Sequence, residues 1–361
     1  MKRTGKGTTW ALATIAAGLL VLAGVMSAAF MGRGLAQSSA PQRIAFQIAT
    51  GSVSGKYFPM GEMLAGLLSH PPRVARCDTA DVCGPPGLIV STRASEGSTA
   101  NVLAVNRRSV DSALAQADVV ALALAGKGQF KATGPARNVR VIANLYPEDV
   151  HLVVSTKSRI ASVADLRGKR VSLSTKGSGT IATAQAILAA YRVPEKSIKP
   201  NYASIDKAAE LLQAGKLDAL FFVGGTPVHL IDQLIKNKSA RLVAIDGEGR
   251  KRLLATHSFF SADKIPWHAY SGAPAVETVS VGALWIANAS EPDDVIYAMV
   301  KALYNRANRG TLDRFNDDDR FVQLDNAAKG TVAPLHPGAL RYYKEAGVLP
   351  KEKAPQPQRK P

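Results

Sequence analysis

An α/β fold in two similar lobes is what this sequence predicts, and three observations carry the prediction. Short apolar strands alternate with helical patterns along the chain, the mark of mainly parallel sheets flanked by helices. A strand, a Gly/Ser loop and a helix occur in succession near Thr50 and again near Gly177. Two further apolar stretches, Val141 to Ser155 and Val279 to Ala287, are suited to pair as strands joining the lobes.

In chain order, Arg43 to Ala49 reads as a strand with Ile44, Phe46 and Ile48 on one face. The loop Gly51 to Gly55 follows, then a helix from about Tyr57 to Leu68. In the second half, Val171 to Leu173 is a strand and Thr175 to Thr180 a loop. The next helix buries Ile181, Ala184, Ile187, Leu188 and Tyr191 at helical spacing. Arg108 to Leu114 parallels Lys216 to Phe221, each placing an Asp (Asp111, Asp218) in the turn between a helix and a short buried strand. Two copies make two lobes, not a solenoid. Ser290 is expected as the N-cap of a late helix, with Pro292 in its first turn and Asp293 and Asp294 against the dipole. The expected boundaries are lobe 1 over 43–147, lobe 2 over 148–288, a return to lobe 1 over 289–349, and a disordered tail over 350–361.

The first 36 residues read as an export address. Lys2, Arg3 and Lys6 precede an uncharged run from Trp10 to Phe30, and Gly34-Leu35-Ala36 suits a cleavage site. The run just reaches spanning length, so it is either a cleaved signal peptide or a retained anchor over residues 10–30. Both place the remainder outside the cytoplasm, in the periplasm. There Cys77 and Cys83, with five residues between them, are expected to form a local disulfide. The net charge is +17, yet no basic run is interleaved with aromatics and no nucleic-acid motif occurs. The charge reads as a solvated basic surface.

The loop Gly177-Ser178-Gly179-Thr180, opening a helix, is the strongest functional signal. The first N–H groups of a helix lack partners and its dipole favours an anion. The bland alternative is a plain helix cap. The matching loop Thr50-Gly51-Ser52 before Tyr57 follows the same logic on the other lobe. Gln116 and Asp118 follow the strand Ser112 to Ala115 at its carboxyl end, where α/β ligand sites lie. Gly224-Gly225-Thr226-Pro227 has the equivalent place in the second lobe. No cofactor or metal site is expected. The six histidines are dispersed without an H-E-x-x-H or H-x-H pair, and no G-x-S-x-G elbow occurs. His151 reads as a core histidine, and Trp267, Tyr270 and Trp285 as packing residues.

With these residues in hand, the sequence resembles the TAXI family of solute receptors of tripartite ATP-independent periplasmic (TRAP) transporters. The pieces are Ile48-Ala49-Thr50-Gly51-Ser52 with Tyr57-Phe58-Pro59, then Glu96-Gly97-Ser98 with Asn101, then Ala115-Gln116-Ala117-Asp118. They continue through Asn144-Leu145-Tyr146-Pro147-Glu148, Leu166-Arg167-Gly168-Lys169-Arg170-Val171, Gly177-Ser178-Gly179-Thr180 and Asp218-Ala219-Leu220-Phe221-Phe222-Val223, and close with Leu335-His336-Pro337-Gly338-Ala339. Their order covers about residues 43 to 348. The resemblance implies a two-lobed, type II-like periplasmic binding protein without catalysis. It would deliver a small organic anion, glutamate-like or a dicarboxylate, to membrane permease subunits. The ligand contacts expected are Thr50, Gly51, Ser52, Tyr57, Ser98, Gln116, Asp118, Ser178, Gly179, Thr180, Gly224 and Thr226, in a protein expected to be a monomer. Arg93-Ala94-Ser95-Glu96 departs from the family's Gly-rich turn, and the Cys77 to Cys83 loop reads as an insertion near the first lobe's cleft edge. A ligand sensor docked to a signalling protein, or an enzyme on the same fold, are the competing classes.

Overall fold

The computed structural model describes residues 43–315 and 320–350. The expected signal segment and the tail beyond Leu349 and Pro350 lie outside the described residues. The first parallel group of strands is β1 (Ile44–Ala49), β2 (Leu88–Arg93) and β3 (Ser112–Gln116). The second is β5 (Arg170–Ser172), β6 (Lys199–Asn201) and β7 (Ala219–Gly224). Between them run two long antiparallel strands, β4 (Val139–Ser155) and β10 (Val276–Asn288). The resulting order is β2-β1-β3-β10-β4-β7-β5-β6, with β8 (Ala240–Val243) on β4 and β9 (Phe260–Ile265) on β10. This is the expected two-lobed α/β architecture, with mainly parallel strands on either side of a shared pair.

The internal repeat has a structural counterpart. The Asp111 carboxylate accepts the Gln47 N–H of β1 (2.7 Å), and the Asp218 carboxylate accepts the Arg170 N–H of β5 (2.8 Å). In each half an Asp just before one parallel strand ties down the backbone of its neighbour, which fixes the register of the pair. Arg170 also closes a fork on Asp218 through its side chain, at 3.1 and 2.6 Å.

Helices flank the sheet: α1 (Tyr57–Leu68), α2 (Ser98–Asn106), α3 (Ala117–Leu124), α4 (Thr180–Ala190), α5 (Ile205–Gln213), α6 (His229–Lys236) and α7 (Gly247–Thr256). α8 (Asp293–Leu303), α9 (Arg309–Phe315) and α10 (Pro337–Glu345) complete the described set. One core packs Phe46 and Ile48 of β1 and Met60 and Leu64 of α1 against Met299 of α8 and Tyr343 of α10. Trp285 of β10 is fully buried there and donates its indole N–H to Ser112 Oγ (3.2 Å). No helix among the described residues is long and apolar enough to cross a membrane.

Three expectations need correction. Pro292, not Ser290, stands at the N-cap of α8; the Ser290 hydroxyl instead donates to Asn288 Oδ1 (2.7 Å). Trp267 is not core: it is 71% exposed on the connection between β9 and β10, where it has no sheet face to pack on. Finally, the Cys77–Cys83 loop is not at the cleft edge. It follows the carboxyl end of α1, about 18 Å along the helix from Tyr57, and there Asn305, Asn308 and Lys301 bind it from behind.

The two sulfurs are bonded. Closing so short a loop constrains the unfolded chain by about 2 kcal/mol. Cys77→Ser/Cys83→Ser is therefore expected to lose roughly that much stability in urea unfolding. Free-thiol titration of the denatured, unreduced protein should find no thiol; two titrating thiols would contradict the bond.

Candidate functional site

The carboxyl ends of β1, β3 and β7 and the amino ends of α1, α2 and α4 meet at one place. A small cavity of about 70 Å³ sits there, lined by Gly51, Ser52, Gly55, Lys56, Tyr57, Gly97, Ser98 and Gln116 from the first half of the chain. From the second half come Glu148, Gly179, Ile205, Phe222, Val223 and Gly224. It adjoins a larger groove of about 450 Å³ that shares Gly55 and Lys56 and runs on past Val53, Pro59, Pro227, His229, Leu230 and Gln233.

Two glycines let the halves meet. Gly97, at φ +115°, is in a backbone region L side chains rarely adopt, and a Cβ there would stand 3.3 Å from Ser178 Cα. Gly179 has ordinary helical angles, but a Cβ on it would lie 1.6 Å from Gln116 Oε1 and 2.7 Å from Ser98 Oγ. Direct bonds span the seam: Ala100 N–H to Gly177 O (3.1 Å) and the Thr99 hydroxyl to Ser178 O (3.3 Å). Below them the Thr183 hydroxyl of α4 donates to Asp118 Oδ2 (2.5 Å) and accepts from Gln116 Nε2 (3.3 Å).

Of the residues singled out from sequence, Gly51, Ser52, Tyr57, Ser98, Gln116, Gly179 and Gly224 line the small cavity. Thr50, Asp118, Ser178, Thr180 and Thr226 stand behind it. The Thr50 hydroxyl donates to Arg93 O (2.9 Å). Ser178 Oγ accepts the Thr180 N–H (3.1 Å), and Thr180 Oγ1 accepts the Val223 N–H (3.2 Å). Those two hydroxyls thus cap α4 and tether it to β7. Thr226 donates to Asp149 Oδ2 (2.6 Å).

Glu148, which lines the cavity, is not among the contacts expected from sequence, although it lies in the segment Asn144-Leu145-Tyr146-Pro147-Glu148. Its signal in the sequence is weak: an acid in a strand that also carries Arg140, Asn144, Asp149 and His151. Glu148 is 2% exposed and accepts the Tyr57 hydroxyl (2.6 Å). Burial pushes its carboxyl up to about 8, the Tyr57 bond opposing and the Asp118 and Asp149 charges adding to the rise. Burial likewise raises Asp118 to about 6, against its bonds from Thr183 and the Val119 N–H. His151 is a satisfied core residue: it meets the Tyr270 hydroxyl at 2.7 Å, and burial lowers it to about 4. Among the described residues no group of His, Cys, Asp or Glu could hold a metal ion.

A two-lobed α/β chain with a small cavity at the carboxyl ends of strands from both halves is the class that fold and site define. The chain belongs to the NMT1-like family, whose model matches residues 48–347. Among solved structures it is similar to the alkanesulfonate-binding protein SsuA from Xanthomonas axonopodis pv. citri bound to MOPS. The identity is 18%, 84% of each chain is covered, and the TM-score is 0.46. The periplasmic aliphatic sulphonate binding protein SsuA from Escherichia coli matches at 16% identity over 83% of this chain and 78% of its own, with a TM-score of 0.43. An ancestral arginine-binding protein bound to arginine matches at 14% over 76% and 97%, with a TM-score of 0.44.

Proposed function

We propose that this chain is the extracytoplasmic solute-binding subunit of an uptake transporter. It captures a small organic acid between lobe 1 (43–147 with 289–349) and lobe 2 (148–288) and hands it to a membrane permease of the tripartite ATP-independent type. The observation that carries the reading is the cavity itself, lined jointly by residues of both halves with glycines at the seam. The amino-terminal turns of α1, α2 and α4 each contribute a lining residue or its neighbour (Tyr57, Ser98, Gly179). The dipoles of these helix starts favour a carboxylate beside them. Membership of the NMT1-like family and the ordered TAXI-type segments support the reading; the permease type rests on those segments alone.

A solute at about a hundred times its dissociation constant should add roughly 2.7 kcal/mol to the stability of the protein. Thermal shift against organic acids and amino acids checks this, and small-angle scattering should show compaction with any compound that shifts the melting temperature. Stabilisation without compaction would remove lobe closure from the proposal.

A further inference from the structure

We infer that Phe222 is the specificity-determining residue of this cavity, its ring limiting the length of the solute and facing its hydrocarbon part. This rests on the receptor reading above and adds the side chain that selects among small organic acids.

The cavity has two walls of different character. Ser52, Tyr57, Ser98 and Gln116 come from the first half of the chain, whereas Ile205, Phe222 and Val223 come from the second. Hydroxyls and an amide suit the polar groups of a solute; the apolar side chains opposite favour its methylenes. Phe222 differs from the rest of its strand. Leu220, Phe221 and Val223 of β7 are buried, while Phe222 is half-buried. One flank of it packs on the core that contains Val228, Ile231 and Tyr270, and it lines the cavity as well.

The ring is held where it stands. Gly224, two residues on and so on the same face of β7, leaves the space that the ring occupies: a Cβ there would lie 2.6 Å from Phe222 Cε1 and 3.1 Å from Cζ. Directly across the strand pair is His151, its ring centroid 6.3 Å from that of Phe222. His151 is itself fully buried and meets the Tyr270 hydroxyl at 2.7 Å. Backed in this way, Phe222 has little room to withdraw before a longer solute. The cavity measures only about 70 Å³, and cutting one large side chain to alanine can open space on the order of 150 Å³. An apolar wall separates neighbours in a homologous series by roughly tenfold or more per methylene.

The experiment is calorimetry on the purified protein with two homologous series, succinate to pimelate and aspartate to 2-aminopimelate. It is repeated with Phe222→Leu, Phe222→Ala and Phe221→Leu, with urea unfolding of each. The natural sequence should bind short members and refuse longer ones. Phe222→Leu should move the optimum to a longer acid and Phe222→Ala further still, each changing the long-to-short affinity ratio by about tenfold or more. Phe221 is buried on the opposite face of the same strand, so Phe221→Leu should lower stability and leave that ratio unchanged. Should Phe222→Ala fail to fold, Phe222→Leu decides the question. An unchanged ratio in the Phe222 variants, equal weakening across a whole series, or the same change of ratio in Phe221→Leu overturns the inference and leaves the receptor standing. Absence of binding by every member of both series removes the organic-acid receptor reading, and the inference with it.

Discussion

Gly179→Leu is expected to reduce solute affinity more than a hundredfold while leaving the fold intact. The residue has ordinary helical backbone angles, so leucine brings no backbone strain and loses less chain entropy than glycine. Its Cβ alone, however, would fall 1.6 Å from Gln116 Oε1, 2.6 Å from Gln116 Cδ and 2.7 Å from Ser98 Oγ. Those atoms belong to the opposite half and are themselves buried and bonded to each other, so they have little room to yield. The conflict exists only when the halves meet. Binding is reduced by the fraction of molecules that can still close, and several kcal/mol of overlap corresponds to two or more decades. Gly66→Ala is the control, because a Cβ there, on α1 and away from the seam, would meet nothing within 4 Å. Calorimetry and urea unfolding on both variants decide the matter. Natural affinity in Gly179→Leu would mean that the solute is bound without this seam closing.

Glu148→Gln should make the protein more stable above neutral pH. Glutamine keeps an acceptor for the Tyr57 hydroxyl and removes the charge. In the folded protein the Glu148 carboxyl sits at about 8 against an ordinary 4.5. The folded state therefore holds a proton that the unfolded state releases. This contribution to stability is fully present below pH 4.5, declines as pH rises toward 8, and is spent above it. Asp118, raised to about 6, acts in the same direction over a lower window. His151, lowered to about 4, acts oppositely, losing its contribution as pH falls below 6.5. Glu291, raised to about 7, also titrates in this range, so the useful quantity is the difference between the two proteins. Between pH 6.5 and 8 the natural sequence should lose about 2 kcal/mol relative to Glu148→Gln. Urea unfolding at the two pH values measures it, and parallel pH dependence would place Glu148 in contact with solvent.

The reach of the sequence is clearest where local pattern and tertiary structure agree. Alternating apolar residues gave β1, the Gly/Ser loops gave the starts of α1 and α4, and the paired Asp111 and Asp218 marked equivalent turns whose function, tying adjacent parallel strands, is visible only in three dimensions. The candidate site was legible as a set of loops, because helix ends at the carboxyl edges of strands follow from chain order alone. Which hydroxyls face the cavity was not. Ser178 and Thr180 look free in sequence, yet backbone groups of α4 and β7 occupy them. Glu148 was hidden for the converse reason: an acid within a strand declares a buried charge, but not which face it takes or what lies opposite.

Asp149 is the residue at which β4 has neighbours on both sides, Ser280 of β10 on one and Gly224 of β7 on the other. Glu148 stands beside it, on the line about which one half of the molecule would turn against the other. A group on a pivot hardly moves while the rim sweeps the widest arc, so Val53 and Leu230, on either side of the outer groove, would travel farthest for the smallest adjustment at the carboxylate. If the proposed closure operates, the contacts near the pivot and the amplitude of movement at the rim would reside in different residues, and altering the rim would retune the second without disturbing the first.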